Sequence, residues 1–343
     1  MRSLKRKASK KVLELAILAL IVIFILSSVF IMSGCTSKLQ RFEDTREKMG
    51  TFVNIIIYSA EADAAKILDD AFLKIDELNK IASNYDKESS VSILNQNGII
   101  ENAPKELIEI ISLSKEYNKK TMGAFDITVD PLLKLWSEGL WEESKEVQQQ
   151  KISETLELVD SDKIIIDGST IKFAVPGMSV TLGGVAKGYI VDKVIELIKS
   201  YGVKNALVNA GGDIATLGSK PDGELWSVSL ENPDNTSEKI VEFAFANKAI
   251  ATSGNYYRYF DPTKEAHHII DPRTGYSADS GCISSTIIAD NATIADILAT
   301  AVFVLGPQDG LKVVEGLDNV EAFIIDEEKN FHKSSGIDKY IVK

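Results

Sequence analysis

One apolar run decides how this chain divides. Residues 15–32 (LAILALIVIFILSSVFIM) hold no charge, and two serines are their only polar side chains. Ahead of the run stand Arg2, Lys5, Arg6, Lys7, Lys10 and Lys11; behind it comes Met32-Ser33-Gly34-Cys35-Thr36. A basic segment, an apolar core and small residues before a cleavage point make an export signal. Residues 1–35 are therefore an address, and the fold is sought in residues 36–343. The other reading is an uncleaved transmembrane anchor, because the run is long enough to cross a bilayer. Both readings keep the basic side in the cytoplasm and place the body outside.

Small residues directly before Cys35 resemble the bacterial lipobox, in which the Cys becomes the acylated first residue. Met32 stands where Leu is more usual. The expectation is a lipid anchor at Cys35 and a body on the outer face of the bacterial cell membrane. Residues 36–48 are polar and read as a tether, leaving 49–343 as one unit.

The leader is strongly basic, with six Lys or Arg against one acid, Glu14. Without it, residues 36–343 carry 32 basic against 49 acidic side chains, a net of −17. A body this acidic repels nucleic acid and anionic bilayer surfaces, so neither is expected as a partner. A polyanionic ligand would need a bound cation or backbone amides to offset the repulsion. The second cysteine, Cys282, lies in a strand-like run; with Cys35 it makes no disulfide framework and reads as a small buried filler.

Hydrophobic spacing gives the elements. Ala65, Leu68, Phe72, Ile75, Leu78 and Ile81 step by three or four, which predicts an amphipathic helix over 61–82. Further helices are expected at 104–119, 187–200 and 293–304. Strands are expected at 52–58, 163–166, 171–175, 178–182, 205–209, 225–230, 239–245 and 282–289, with a turn at Asp167-Gly168. Residues 138–150 are charged and Gln-rich and read as a surface excursion. Strands and helices mix without clean alternation, which favours α+β over a doubly wound parallel sheet.

Several segments have the makings of a site. Leu182-Gly183-Gly184-Val185-Ala186-Lys187-Gly188 runs from strand to helix, where backbone amides and a helix N-terminus attract phosphate; a tight packing turn explains it equally simply. Asn209-Ala210-Gly211-Gly212-Asp213 is a glycine turn that either presents Asp213 to a ligand or merely caps. His267 and His268 are adjacent, so in a strand only one of them faces a site, where it would serve as a general base; otherwise it is structural. Asp296 and Thr300 are four apart on an otherwise apolar helix and share a face. Their oxygens suit Mg²⁺, unless Thr300 simply bonds back to its own helix. Ala124-Phe125-Asp126 with Thr128 and Asp130, and Met49-Gly50-Thr51 before the first expected strand, complete the set.

In order along the chain, these segments resemble the ApbE family, the FAD:protein FMN transferases. Ser83, Tyr85, Leu94-Asn95, Ser253-Gly254 and His268 to Gly275 join the match, which spans roughly 45–340. The resemblance implies an α+β fold of mixed, largely antiparallel sheets with packed helices in a single compact catalytic unit. It implies that Met49, Tyr85, Ala124, Phe125, Asp126, Thr181, Lys187 and Ile270 border FAD. Gly184 (through its carbonyl), Asp296 and Thr300 would hold Mg²⁺, and His268 would take a proton from a Thr or Ser hydroxyl of an acceptor flavoprotein. Two positions depart from the family pattern. Thr181 stands where Asp is common, and Ser137 where Gly follows the Trp. An FAD hydrolase with the same residues, or a non-catalytic flavin-binding lipoprotein, remain the competing expectations.

Overall fold

The computed structural model describes residues 39–232, 235–256, 258–263 and 266–342. The leader and Cys35 lie outside them. Gln40–Lys48 (β1) and Thr51–Ser59 (β2) form a hairpin, followed by the helix Glu61–Ala82 (α1). Ser90–Asn97 (α2), Lys105–Lys120 (α3), Asp130–Ser137 (α4) and Lys145–Leu156 (α5) come next, with the small sheet of Ile99–Ile100 (β3), Ile164–Asp167 (β4) and Thr170–Phe173 (β5). Ala186–Ser200 (α6) leads into Ala206–Ala210 (β6) and Asp213–Leu217 (β7). A separate hairpin, Trp226–Asn232 (β8) and Asn235–Phe245 (β9), precedes Ala249–Gly254 (β10) and Cys282–Ala289 (β11). The chain closes with the helix Ala292–Glu315 (α7) and strands Glu321–Asp326 (β12) and Phe331–Lys333 (β13).

The main sheet runs β1-β2-β6-β7-β10-β11-β12-β13. Every neighbouring pair in it is antiparallel. Side chains alternate across a pleated strand, so each strand serves two layers. Val53, Ile55 and Ile57 of β2 enter the main core with Phe72, Ile75, Val191, Leu298 and Val302 of the helices. Ile56 and Tyr58 point the other way, toward a second cluster of Leu207, Ile214, Ile250, Ile288 and Phe323. Trp226, Phe243 and Phe245 of the β8–β9 hairpin cover part of that cluster. The sheet is thus sandwiched between helices and a hairpin, the α+β arrangement expected.

Several local expectations needed correction. Residues 40–48 of the expected tether are a full strand. Their polarity misleads because the charged side chains pair across to α1: Arg46 stacks 4.3 Å over the Phe72 ring, and Lys48 bonds Asp76 at 2.7 Å. The surface excursion contains helix α5, whose Ser144 accepts the Val147 N–H. Residues 178–182 are not a strand but an extended segment clamped by side chains. The helix expected to end near 304 continues to 315, interrupted by Gly306, which adopts φ 76° just before Pro307. Cys282 is buried and free, and burial pushes its thiol up to about 12.

Helices α6 and α7 touch at Gly188. A β-carbon there would lie 2.3 Å from the Ala292 carbonyl oxygen. Gly188→Ala is therefore expected to destabilise the protein by about 1–3 kcal/mol through overpacking, read as a lower unfolding temperature.

Candidate functional site

Segment 180–182 positions the first part of the site, and two amides hold it. Asn84 and Asn95 each donate to the Val180 carbonyl at 2.8 Å. In return Asn95 accepts the Val180 N–H and Asn84 the Leu182 N–H. The glycines behind it permit close approach. A side chain on Gly184 would meet Thr300 Oγ1 at 2.9 Å and the Phe125 ring at 3.3 Å.

Helix α7 supplies Asp296 and Thr300 from one face, as their spacing predicts. Asn291 caps the helix by accepting the Ile294 N–H at 2.9 Å. Asp192 accepts the Ala292 and Thr293 N–H groups at 2.7 and 2.8 Å, satisfying donors that a helix start otherwise leaves open. Asp296 is only 4% exposed and accepts the Gly188 N–H at 3.2 Å. Burial, and then the Asp213 carboxylate, push its carboxyl up to about 7. Thr300 reaches off its own helix: Oγ1 lies 3.3 Å from Ser253 Oγ on β10.

Lys187 forms an ion pair with Asp213, which is 3% exposed. Burial opposes the Lys187 charge, but Asp213 and Asp296 outweigh it and raise the ammonium's pKa. Two buried carboxylates thus act on the one ammonium, and Lys187 in turn lowers the Asp296 carboxyl. Asp296, Thr300 and the Gly184 backbone offer hard oxygen donors of the kind Mg²⁺ accepts while keeping water or phosphate in its other positions. Among the described residues no group of three or more His, Cys, Asp or Glu gathers to hold a metal, here or elsewhere, so the donors of this site are one carboxylate, a hydroxyl and a carbonyl. The residues present fit Mg²⁺.

The two adjacent histidines separate as alternation requires. His267 is buried, its Nε2 3.2 Å from the Ala278 carbonyl and its ring edge-on to Phe303. His268 lines the cleft, with Nδ1 3.1 Å from the Arg258 carbonyl. A carbonyl only accepts, so Nδ1 carries the proton and Nε2 keeps its lone pair. Burial holds the His268 pKa down to about 4, so the ring is neutral at pH 7.

One cavity of about 1210 Å³ gathers Tyr85, Ala124, Phe125, Asp126, Thr181, Gly184, Lys187, His268, Ile270, Asp296 and Thr300. Tyr85, 93% exposed, stands at its mouth. Of the residues that the resemblance assigns to FAD, metal or base, Met49 alone does not line it, and neither does Asp213 of the glycine turn. Met49 sits in the β1–β2 turn at φ 55° and packs against the main core. Asp126 lines the cavity but is committed to the framework. Its oxygens accept from Thr128 N–H (2.8 Å), Thr128 hydroxyl (2.6 Å), Ser161 hydroxyl (2.6 Å) and Asn118 (3.0 Å). Asp126→Ala is expected to strand these buried donors, lowering stability by about 2–4 kcal/mol in denaturant unfolding.

Sequence reasoning gave Asn84 and Arg258 no role. Asn84 bonds backbone far along the chain, and Arg258 contributes its carbonyl, which any residue carries. Neither leaves a local pattern.

A buried carboxylate beside a hydroxyl, and a neutral histidine across one cleft at the end of the sheet, define an α+β enzyme. A family model described as the ApbE family matches residues 49–324, and the chain belongs to that family. Curated relatives named FAD:protein FMN transferase include one from Haemophilus influenzae, 31% identical over 309 residues, covering 86% of this chain and 89% of the relative. Another, from Treponema pallidum, is 28% identical over 331 residues, covering 89% and 90%. Among solved structures, the ApbE protein of Thermotoga maritima superposes with a TM-score of 0.79 at 30% identity, covering 89% of this chain and all (100%) of that one. Flavin transferase ApbE from Vibrio cholerae gives 0.76 at 27%, covering 88% and 99%.

Proposed function

We propose that this protein transfers FMN from FAD to a Thr or Ser hydroxyl of an acceptor protein, with Mg²⁺, and releases AMP. The observation that carries the reading is the placement of Asp296, Thr300 and Gly184 within the same cavity as a neutral His268. His268 Nε2 takes the proton of the acceptor hydroxyl, which is otherwise a weak nucleophile. The hydroxyl oxygen bonds to the FMN-side phosphorus as the bond from that phosphorus to the bridging oxygen breaks. AMP carries that oxygen and its electron pair away. Phe125 and Tyr85 offer aromatic surface to a flat ring. Asp296, Thr300 and the Gly184 carbonyl would hold Mg²⁺, which when bound offsets the pyrophosphate charge and the charge growing on the leaving AMP. Lys187, fixed by Asp213, adds positive potential beside them.

The export signal and Cys35 supply the rest of the reading: a lipid-anchored enzyme on the outer face of the cell membrane, acting on exported flavoproteins. The test is intact mass of candidate acceptors incubated with residues 36–343, FAD and Mg²⁺. The expected gain is FMN less water, lost with EDTA. FMN and AMP formed with every acceptor unmodified would replace transferase by hydrolase.

A further inference from the structure

The cavity extends beyond the residues assigned to FAD. At about 1210 Å³ it exceeds the roughly 300–1,000 Å³ of an ordinary small-molecule site. Its remainder lies on the hairpin side of the main sheet, floored by Ile56, Leu207, Ile214, Ile250, Thr252 and Thr286. Strand β10 joins the two parts. Ile250 and Thr252 face the groove, while the next residue, Ser253, turns to Thr300.

The wall of this groove is β8. Five consecutive residues, 227–231, line it, and no described residue of β9 does. Side chains alternate sides along the regular stretch Ser227 to Leu230, ahead of the register shift at Leu230–Glu231, so four in a row reach one cavity when the strand presents its edge. That edge is open: among the described residues, β8 has β9 on one side in the two-stranded sheet and no strand on the other. The far edge of β9 is closed by the C-terminal segment, where Ala244 N–H donates to the Tyr340 carbonyl at 2.7 Å and Val342 N–H to the Glu242 carbonyl at 2.8 Å. An unpaired edge exposes a row of N–H and C=O groups ready for another strand. The six floor residues are uncharged, and the lining stretch of β8 carries a single charge, Glu231. In a body of net −17 this is a neutral stripe leading to the site.

We infer that the acceptor protein docks here by strand addition: an uncharged extended segment pairs with the open edge of β8, sets alternate apolar side chains on the sheet, and delivers its hydroxyl to His268. This rests on the transferase reading, which requires a protein as second substrate. Five residues of β8 accommodate a segment of about 17 Å, at roughly 3.4 Å per residue.

The test uses a short synthetic peptide with one central Thr, Val at alternate positions on either side and Ser between them. Hydrogen exchange is followed by mass spectrometry on residues 36–343 with FAD and Mg²⁺. Adding the peptide is expected to slow exchange of the 227–231 amides. A peptide N-methylated at alternate bonds, in one of its two registers, is expected to lose that protection. In parallel, Leu230→Glu is expected to raise the peptide's KM by about tenfold or more while leaving FAD affinity within about twofold. Unchanged exchange at 227–231, with or without flavinylation of the peptide, would overturn the docking mode, and so would an unaltered KM in Leu230→Glu. Protection of β8 without any FMN transfer would keep the groove as a strand-binding site and fail the transferase reading instead. The two failures are thus distinguishable.

Discussion

Asp296→Ala is expected to slow FMN transfer by about a thousandfold or more, since a lost metal site removes several kcal/mol of charge stabilisation and each 1.36 kcal/mol is tenfold in rate. The carboxylate is buried, accepts the Gly188 N–H, and has Asp213 as a like-charged neighbour. Lys187 offsets the pair, and it is already bonded to Asp213. Without a cation the Asp296 carboxyl is therefore raised to about 7. That direction sets the sign of the pH effect. Its folded pKa lies above the ordinary carboxylate value, so protonated Asp296 favours folding at low pH. That contribution is lost as pH rises through about 7. Metal-free protein is expected to lose melting temperature, relative to Asp296→Asn, between about pH 4 and about pH 7, and Mg²⁺ is expected to restore it. Metal affinity runs the other way and weakens as pH falls below about 7, because a cation must displace the proton. Titration of Mg²⁺ by calorimetry at two pH values, with Asp296→Asn as reference, measures both. Equal affinity at both pH values, or full transfer by Asp296→Ala, would remove this carboxylate from the metal site.

Legibility of the fold depended on how each element is buried. Helix α1 was readable because its apolar residues step by three and four against a polar face, and the observed bounds, Glu61–Ala82, coincide with that pattern. Strand β1 was not readable, because its inward side chains include Arg46 and Lys48, whose partners are acids on α1. Strands β7 and β10 escaped for a different reason. Asp213–Leu217 is buried at four of its five positions, and Ala249–Gly254 is short and built of small residues. Neither shows the polar alternation that marks a half-exposed strand.

The site divides the same way. Asp296 and Thr300 were legible because a spacing of four is a statement about one helix face. The resemblance then brought distant segments together, and all of its cleft residues but Met49 meet in one cavity. What binds those segments was hidden. Lys187 finds Asp213 across 26 positions, and Asn84 reaches the backbone of Leu182 across 98. Such polar ties have no period and no composition, so only the folded backbone reveals them. Asp126 carries the same lesson in reverse. The resemblance implies that it borders FAD, and its hydrogen bonds assign its oxygens to holding Thr128 and Ser161.

His268→Ala is expected to lower the transfer rate by about 10²–10⁴-fold, the usual worth of a positioned general base, with FAD affinity nearly unchanged. The Arg258 carbonyl fixes Nδ1 as the donor and leaves Nε2 as the base. Among the described residues no carboxylate raises the ring's pKa, and burial keeps it at about 4 rather than the ordinary 6.5. A lowered pKa keeps the base form populated well into acid. At saturating Mg²⁺ the wild-type rate is therefore expected to stay level from about pH 8 to about pH 5. An unperturbed histidine would instead lose about tenfold per pH unit below roughly 6.5. At limiting Mg²⁺ an acid limb near 7 is expected to appear, because Asp296 then competes for protons. The limb belongs to His268 only if raising Mg²⁺ leaves it in place. A metal-independent limb near 6.5 that vanishes in His268→Ala would mean that the ring titrates as if exposed. Full transfer by His268→Ala would pass the proton to another group.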